Sequence, residues 1–376
     1  MILTQEQEMI RDSMRAFAQE RLAPFAAEWD KNHTFPAQAL KELAELGALG
    51  MVVPEQWGGA GLDYMSLVLT IEEIAAGDGA TSTIVSVQNS LACGITLKYG
   101  TDEQKETWLK PLARGEKLGC FCLTEPHTGS DAAAITTRAE RDGDHFVLNG
   151  VKQFITNGKH AEVAIVFAVT DKAAGKKGIT GFLVPTATPG YIVARLEDKM
   201  GQHASDTAQI IFENCRVPAS AMLGQEGEGY KIALSNLEAG RIGIAAQSVG
   251  MARSALEAAV RYAKERTTFG VPLMGHQAVS FRLADMATQL DAARLMVWRA
   301  AAMKDAGKPC LTEASMAKMF ASEVAEKVCS DAIQIHGGYG YVSDFPVERI
   351  YRDARVTQIY EGANDIQRML IGRSLA

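Results

Sequence analysis

Residues 145–169 read HFVLNGVKQFITNGKHAEVAIVFAV, three short runs rich in Phe, Val and Ile broken by Asn149-Gly150 and Asn157-Gly158. Asn and Gly both tolerate positive φ, so Asn149-Gly150 between two β-rich runs predicts a hairpin. The same texture extends outward. CFCLTE (120–125) precedes it, ITGFLVP (179–185) and AQIIFENCRVP (208–218) follow, and Asp142-Gly143 and Pro189-Gly190 add turn chemistry between runs. Residues 116–222 are therefore expected to form a middle β-domain, mostly antiparallel.

The flanks carry a different period. Before residue 115, Ile10, Met14, Phe17 and Phe25 recur at helical spacing, and Leu40, Leu43 and Leu46 make a second stripe. Thr101 with Gln104 is a capping box that opens a helix over DEQKETWLKPL. Beyond residue 226 the stripe Val279, Leu283, Met286, Leu290, Ala293, Val297 and Ala300 alternates steps of four and three. Ile242, Val249, Leu256 and Ala263 form another, and Ala317, Phe320, Val324 and Val328 a third. The joints GVPLMGH and AGKPCLTE are short, which suits antiparallel packing. The expected order is helical (1–115), β (116–222) and helical again (226–376).

Bulk properties narrow the class. The charge of −7 is spread among interspersed acids and bases, so no concentrated basic face suggests nucleic acid. Six scattered cysteines without CxxC pairs read as reduced thiols, and seven histidines show no metal-ligand spacing, so no metal is expected. The opening MILTQEQEMIRDSMRAF lacks a signal-peptide apolar core, and no run is long enough to span a bilayer. A soluble, cytoplasmic protein is expected, or a mitochondrial matrix one if the source is eukaryotic.

Five segments carry possible chemistry, and each also has an ordinary structural reading. TEPHTGSD (124–131) offers N–H groups and hydroxyls to a polar ring edge or phosphate, or is only a surface turn. In QFITNG (153–158), Phe154 and Thr156 share one strand face, as a flat ring beside a hydroxyl or as core. ERTTFG (265–270) places Arg266 at a helix end, for a phosphate or for the helix dipole. QIHGGYGY (334–341) permits close backbone approach or merely ends a helix; it fails the dinucleotide-fold spacing, as does GQEGEGY (224–230). QIYEGANDIQ (358–367) sets Glu361 between Tyr360 and Gly362. There an apolar setting would raise its pKa towards that of a general base, or the acid simply caps a helix.

In this order the five segments resemble the acyl-CoA dehydrogenase family, a match spanning nearly the whole chain. It includes GTDEQKETWLKPLARGEKLGCFCLTEPHTGSDAA (100–133) and GGYGYVSDFPVERIYRDARVTQIYEGANDIQR (337–368). The resemblance implies an α+β multidomain fold: an N-terminal α-helical domain, a middle antiparallel β-barrel-like domain and a C-terminal four-helix bundle. It also implies a homotetramer, a dimer of dimers. FAD would be bordered by Phe121, Leu123, Thr124, Gly129 and Ser130, Ser130 lying towards the pyrophosphate or CoA. Phe154 and Thr156 would cover the isoalloxazine, Phe154 standing where many relatives have Trp. Arg266, Phe269 and Gln277, with Gln334, Gly337 and Gly338, would hold pyrophosphate and adenosine across a subunit interface, and Asp365 would add an FAD contact. Glu238, Arg241, Tyr360 and Gly362 would face the acyl-CoA.

By the same resemblance Glu361 takes the α-proton of a saturated acyl-CoA while the β-hydride goes to flavin N5, giving the trans-2-enoyl-CoA. Electron-transferring flavoprotein would then accept the electrons. Some relatives carry a base immediately before the arginine of LEAGRIGIAAQ (237–247), but Gly240 stands there, leaving Glu361 as the base. Ala363 replaces a frequent Thr and Asp365 a frequent amide. RIGIAAQ and IYEGA are most similar to the short-chain and short/branched-chain subgroups, implying a short linear or 2-methyl-branched acyl group. An oxygen-using flavin oxidase or monooxygenase on the same fold, or a non-catalytic nucleic-acid-binding relative, are the alternatives.

Overall fold

The three regions differ in what their backbones do. In the computed structural model, which describes residues 2–376, the first region is helical: α1 (Gln5–Phe17), α2 (Ala26–Asn32), α3 (Ala37–Glu45), α4 (Tyr64–Gly77), α5 (Gly79–Val87), α6 (Gly94–Tyr99), α7 (Asp102–Gln104) and α8 (Lys110–Ala113). The capping box read at Thr101 is present: Thr101 Oγ1 accepts from Gln104 N and Gln104 Oε1 accepts from Thr101 N. Asp78 separates the two most buried helices and caps α5, its carboxylate accepting from Thr81 N at 2.8 Å.

The middle region holds β1 (Gly119–Cys122), β2 (Arg138–Asp142), β3 (His145–Thr156), β4 (Val163–Val169), β5 (Ile179–Pro185), β6 (Tyr191–Leu196), β7 (Thr207–Pro218) and β8 (Met222–Leu223). Their order is β6-β7-β3-β2-β4-β5-β8, with β1 parallel to β4. The β3/β7, β4/β5 and β6/β7 pairs are antiparallel. The run VAIVFAV is apolar throughout because β4 is central and buried on both faces.

The hairpin expected at Asn149-Gly150 does not form. β3 runs straight through it, and the hairpin turn lies at Gly143-Asp144, joining β2 to β3. At Asn149-Gly150 the pairing with β7 slips by a bulge, and a Cβ on Gly150 would stand 2.4 Å from Thr137 Oγ1. The glycine thus serves a close approach rather than a turn.

A two-stranded ribbon, β9 (Thr267–Thr268) and β10 (Val271–Pro272), lies between the first two long helices of the last region. These helices are α9 (Gly229–Glu265) and α10 (Gln277–Asp305); α11 (Leu311–His336), α12 (Val347–Arg355) and α13 (Asn364–Ser374) follow. Leu283, Met286, Leu290, Ala293, Val297 and Ala300 all face the core, as their spacing requires. Burying each Leu or Val of such a stripe contributes about 1.5–3 kcal/mol. Met65, Val68 and Ile71 of α4 enter the same core, so the first and last regions share it. Around Glu72 and Glu73, the side chains of Arg15, Arg253 and Arg294 tie α1, α4, α9 and α10 together.

Helix α9 positions the site. Its residues 239–252 are buried without interruption, which a helix shows only when it is surrounded. Small residues permit that: a Cβ on Gly250 would meet Glu72 O at 2.2 Å. Among the described residues, no helix is long and apolar enough to cross a membrane.

Candidate active site

After α12 a short 3-10 turn (Val356–Gln358) leads into a bend where Glu361 has φ 55° and Gly362 φ 87°. Left-handed backbone costs a non-glycine residue roughly 1–2 kcal/mol, so neighbours must hold it. Two side chains do. Lys318 of α11 donates from Nζ to the Gly362 carbonyl (2.9 Å) and to Asn364 Oδ1 (3.0 Å). Gln367 Nε2 of α13 donates to the same carbonyl (2.8 Å) and to the Glu361 carbonyl (3.3 Å). On the other side the Tyr360 hydroxyl donates to Gln247 Oε1 and accepts from Gln202 Nε2 at 3.4 Å. Gln247 Nε2 in turn donates to Thr83 Oγ1 (2.6 Å) and to the Gly79 carbonyl (2.9 Å), and burial pushes the Tyr360 hydroxyl up to about 12.

The Glu361 carboxylate lies over Gly240 of α9. A Cβ at position 240 would be 2.6 Å from Glu361 Oε2. Glu361 is half-buried as a residue, yet Oε2 is sealed from solvent and has no hydrogen-bond partner. Burial raises its pKa from 4.5 to about 7, while the Arg241 and Lys318 cations pull it back. The setting is therefore not simply apolar, as the sequence suggested; two buried cations moderate it. Arg241 Nε is likewise buried without a partner. An unpartnered acceptor and an unpartnered donor meeting in one place mark a site for a polar ligand.

A second group of the predicted residues is on the β-domain. Between Lys152 and Ile155 the β3/β7 pairing slips again, and Phe154 emerges at φ 60° with 63% of its surface exposed. A bulky residue in that conformation is uncommon. Thr156 is half-exposed at the end of the same strand. The segment 123–125, which opens the TEPHTGSD loop, is joined to this strand at three points: Gln153 N donates to the Thr124 carbonyl (2.9 Å), while Lys152 Nζ donates to the Leu123 carbonyl (3.0 Å) and Glu125 Oε1 (2.8 Å). Burial opposes ionisation of Glu125, but the Lys152 charge and hydrogen bonds from Thr136 and Thr137 outweigh it and hold the carboxyl down at about 2. Phe121 stands edge-on to Phe167 at 5.2 Å, Leu123 is buried, and Gly129 and Ser130 are exposed on the loop. Phe121, Leu123 and Thr124 thus lie on a segment hydrogen-bonded beside the one that carries Phe154 and Thr156, and the exposed Phe154 ring offers a flat cofactor a face.

The remaining predicted residues lie apart. Arg266 caps α9 and is exposed; Phe269, at φ 50°, is 97% exposed; Gln277 begins α10 exposed. Gln334, Gly337 and Gly338 form an exposed end of α11. Glu238 is held by Lys304 (2.9 Å) and Cys310 (3.2 Å), and these two contacts outweigh burial in lowering its pKa. Asp365 is exposed, paired with Arg368 at 3.2 Å. His33, Asp198 and His203 bring ligand atoms within 4.8 Å of one another, but the two imidazoles are stacked at 4.3 Å. Both His203 nitrogens already lie at hydrogen-bond distance from the Asp30 and Lys199 carbonyls, which does not suit a metal ligand.

Ala363 is the N-cap of α13 and supplies no side-chain bond. Ala363→Thr is expected to cap Asp365 or Ile366 N–H and stabilise the fold by about 1 kcal/mol, read as a raised denaturation midpoint with unchanged slope.

The sequence reading missed Lys318, Asn364, Gln367, Gln247, Gln202, Lys152 and Glu125. One signal was available: Ser315, Lys318 and Ser322 form a polar face at helical spacing, and all three are buried.

Burial raises the Glu361 carboxyl to about 7, and the β-domain separately presents the exposed Phe154 ring; such features suit an oxidoreductase. The acyl-CoA dehydrogenase N-terminal, middle and C-terminal domain models match residues 4–116, 120–215 and 227–376. The chain belongs to the acyl-CoA dehydrogenase family. It is 51% identical to the short-chain specific acyl-CoA dehydrogenase, mitochondrial, of Homo sapiens, over 99% of this chain and 90% of that one. It is 49% identical to the acyl-CoA dehydrogenase of Bacillus subtilis, over 100% and 99%. The solved butyryl-CoA dehydrogenase of Megasphaera elsdenii has a TM-score of 0.98 at 44% identity, covering 100% of this chain and 99% of that one.

Proposed function

We propose that this protein is an FAD-dependent dehydrogenase of short-chain acyl-CoA thioesters, linear or 2-methyl-branched, forming the trans-2-enoyl-CoA with Glu361 as the base. The observation that carries this is the sealed, unpartnered Glu361 Oε2 with its pKa near 7. The short-chain preference rests on the relatives' names. When bound, FAD supplies the acceptor for the two electrons that leave the β-carbon as hydride.

Glu361 takes the α-proton onto its carboxylate, and a pKa near the working pH balances basicity against the fraction ionised. Among the described residues no acceptor takes the Glu361 backbone N–H. It is free to donate to the thioester oxygen as negative charge develops there, a contact worth about 3–4 kcal/mol in such sites. Phe154, Thr156, Thr124 and Phe121 would hold the ring of FAD, and Leu123, Gly129 and Ser130 its polar edge. Arg266, Phe269, Gln277, Gln334, Gly337, Gly338 and Asp365 are assigned to the remainder of the cofactor. Their exposure in the single chain is consistent with completion of that site in a homotetramer. Arg241, Tyr360, Gly362 and Glu238 are assigned to the acyl-CoA side, Glu238 through its ion pair. Electron-transferring flavoprotein is the proposed electron acceptor.

Anaerobic titration of the purified protein with acyl-CoAs of increasing length tests this reading. Flavin absorbance is expected to bleach fastest with butyryl-CoA or its 2-methyl analogue. Fastest bleaching by long-chain thioesters would remove the chain-length assignment, and rapid reoxidation by oxygen would favour an oxidase.

A further inference from the structure

We propose that Lys318 is a positioning residue for the base, clamping from beneath the left-handed turn on which Glu361 stands and placing a cation close to its carboxylate. This rests on the reading of Glu361 as the base. Lys318 is fully buried on α11, where an ammonium is costly unless it is bound on all sides. It forms no ion pair within 4 Å among the described residues, since its bonds go to a carbonyl and an amide oxygen. Those acceptors, Gly362 O and Asn364 Oδ1, flank the turn and the first residue of α13. Asn364 is itself fixed to Ser322, whose Oγ accepts from Asn364 Nδ2 at 3.1 Å. The Gly362 carbonyl therefore receives two donors, from α11 and from α13, and cannot rotate without losing both.

The charge acts separately from the clamp. Burial pulls Lys318 down from 10.5 to about 7; Glu361 and Glu323 raise it and Arg241 lowers it further. Glu361 faces Arg241 from α9 and Lys318 from α11, with Tyr360 beside it in the chain. Each group lies in the other's field, Glu361 raising the Lys318 pKa and Lys318 lowering that of Glu361. Removing the cation favours the protonated carboxylic acid and moves the onset of activity to higher pH.

The test uses full-length holoenzyme carrying Lys318→Met or Lys318→Gln, the latter retaining a donor in place of the charge. Flavin bleaching by butyryl-CoA is followed by stopped flow from pH 5.5 to 9. Both variants are expected to show the acid limb displaced upward by about one pH unit, which is tenfold in rate on that limb. The Met variant is expected to lose a further hundredfold in limiting rate, and the Gln variant to recover most of it. A Met variant that retains FAD and bleaches like the unmodified enzyme, with an unmoved acid limb, would overturn the proposal. Failure of the parent reading shows separately, as absence of bleaching in the unmodified enzyme. Substrate-free unfolding against pH then decides for Lys318. A buried lysine with a lowered pKa destabilises the fold while protonated, so stability rises between about pH 7 and 10.5. The Met and Gln variants are expected to lose that rise; its persistence in both would overturn the buried-cation assignment.

Discussion

Glu361→Gln is expected to keep FAD and bind acyl-CoA yet lose flavin bleaching by about 10⁴-fold, the upper end of what general-base removal costs. The substitution is close to isosteric and its backbone clamps are unaffected, because Lys318 and Gln367 hold carbonyls and not the carboxylate. What disappears is the carboxylate proposed to take the α-proton; its charged neighbours, Arg241 and Lys318, stay in place. A stability measurement supplies an independent readout. Folding raises the Glu361 pKa from 4.5 to about 7, so the native state binds that proton more tightly than the unfolded chain. The stabilisation is present below about pH 4.5 and is lost as pH rises through about 7. The Gln variant should lose this slope. Bleaching at the unmodified rate, with the slope retained, would remove Glu361 from the mechanism.

How much of this was legible beforehand follows from the kind of signal each element carries. The long helices were legible because their apolar positions recur over many turns, as from Leu283 to Ala300. β4 was legible as an unbroken apolar run. β2, reading RAERD, was not: only Ala139 faces inward, and its strand state comes from pairing with β3. Asn149-Gly150 misled for the opposite reason. Its local preference for a turn is real, but long-range pairing of β3 with β7 overrides it. Glu361 itself was legible only through its ordered company of motifs. The clamp was not: Ser315, Lys318 and Ser322 mark a polar face on α11, but Lys318 lies 43 positions before Glu361, and nothing local says that its ammonium ends beneath Gly362.

Gly240→Ala is expected to lower flavin bleaching about a hundredfold while leaving FAD content near normal, from a single added methyl group. In most helix interiors Gly→Ala is stabilising, by roughly 1 kcal/mol through helix propensity. Here the new Cβ would stand 2.6 Å from Glu361 Oε2 and 2.9 Å from its Cδ, closer than van der Waals contact allows. Helix α9 cannot yield, since it is enclosed from Ala239 to Ala252 and meets α4 with backbone contact at Gly250. The carboxylate must move instead, and its backbone is pinned by Lys318 and Gln367. The side chain would therefore swing by about an ångström, the scale of misplacement that costs roughly 10² in rate. By the same geometry a side chain at position 240 would compete with the Glu361 carboxylate for one volume. A fully active Gly240→Ala enzyme would show that Glu361 works from another rotamer, and the base would have to be placed anew.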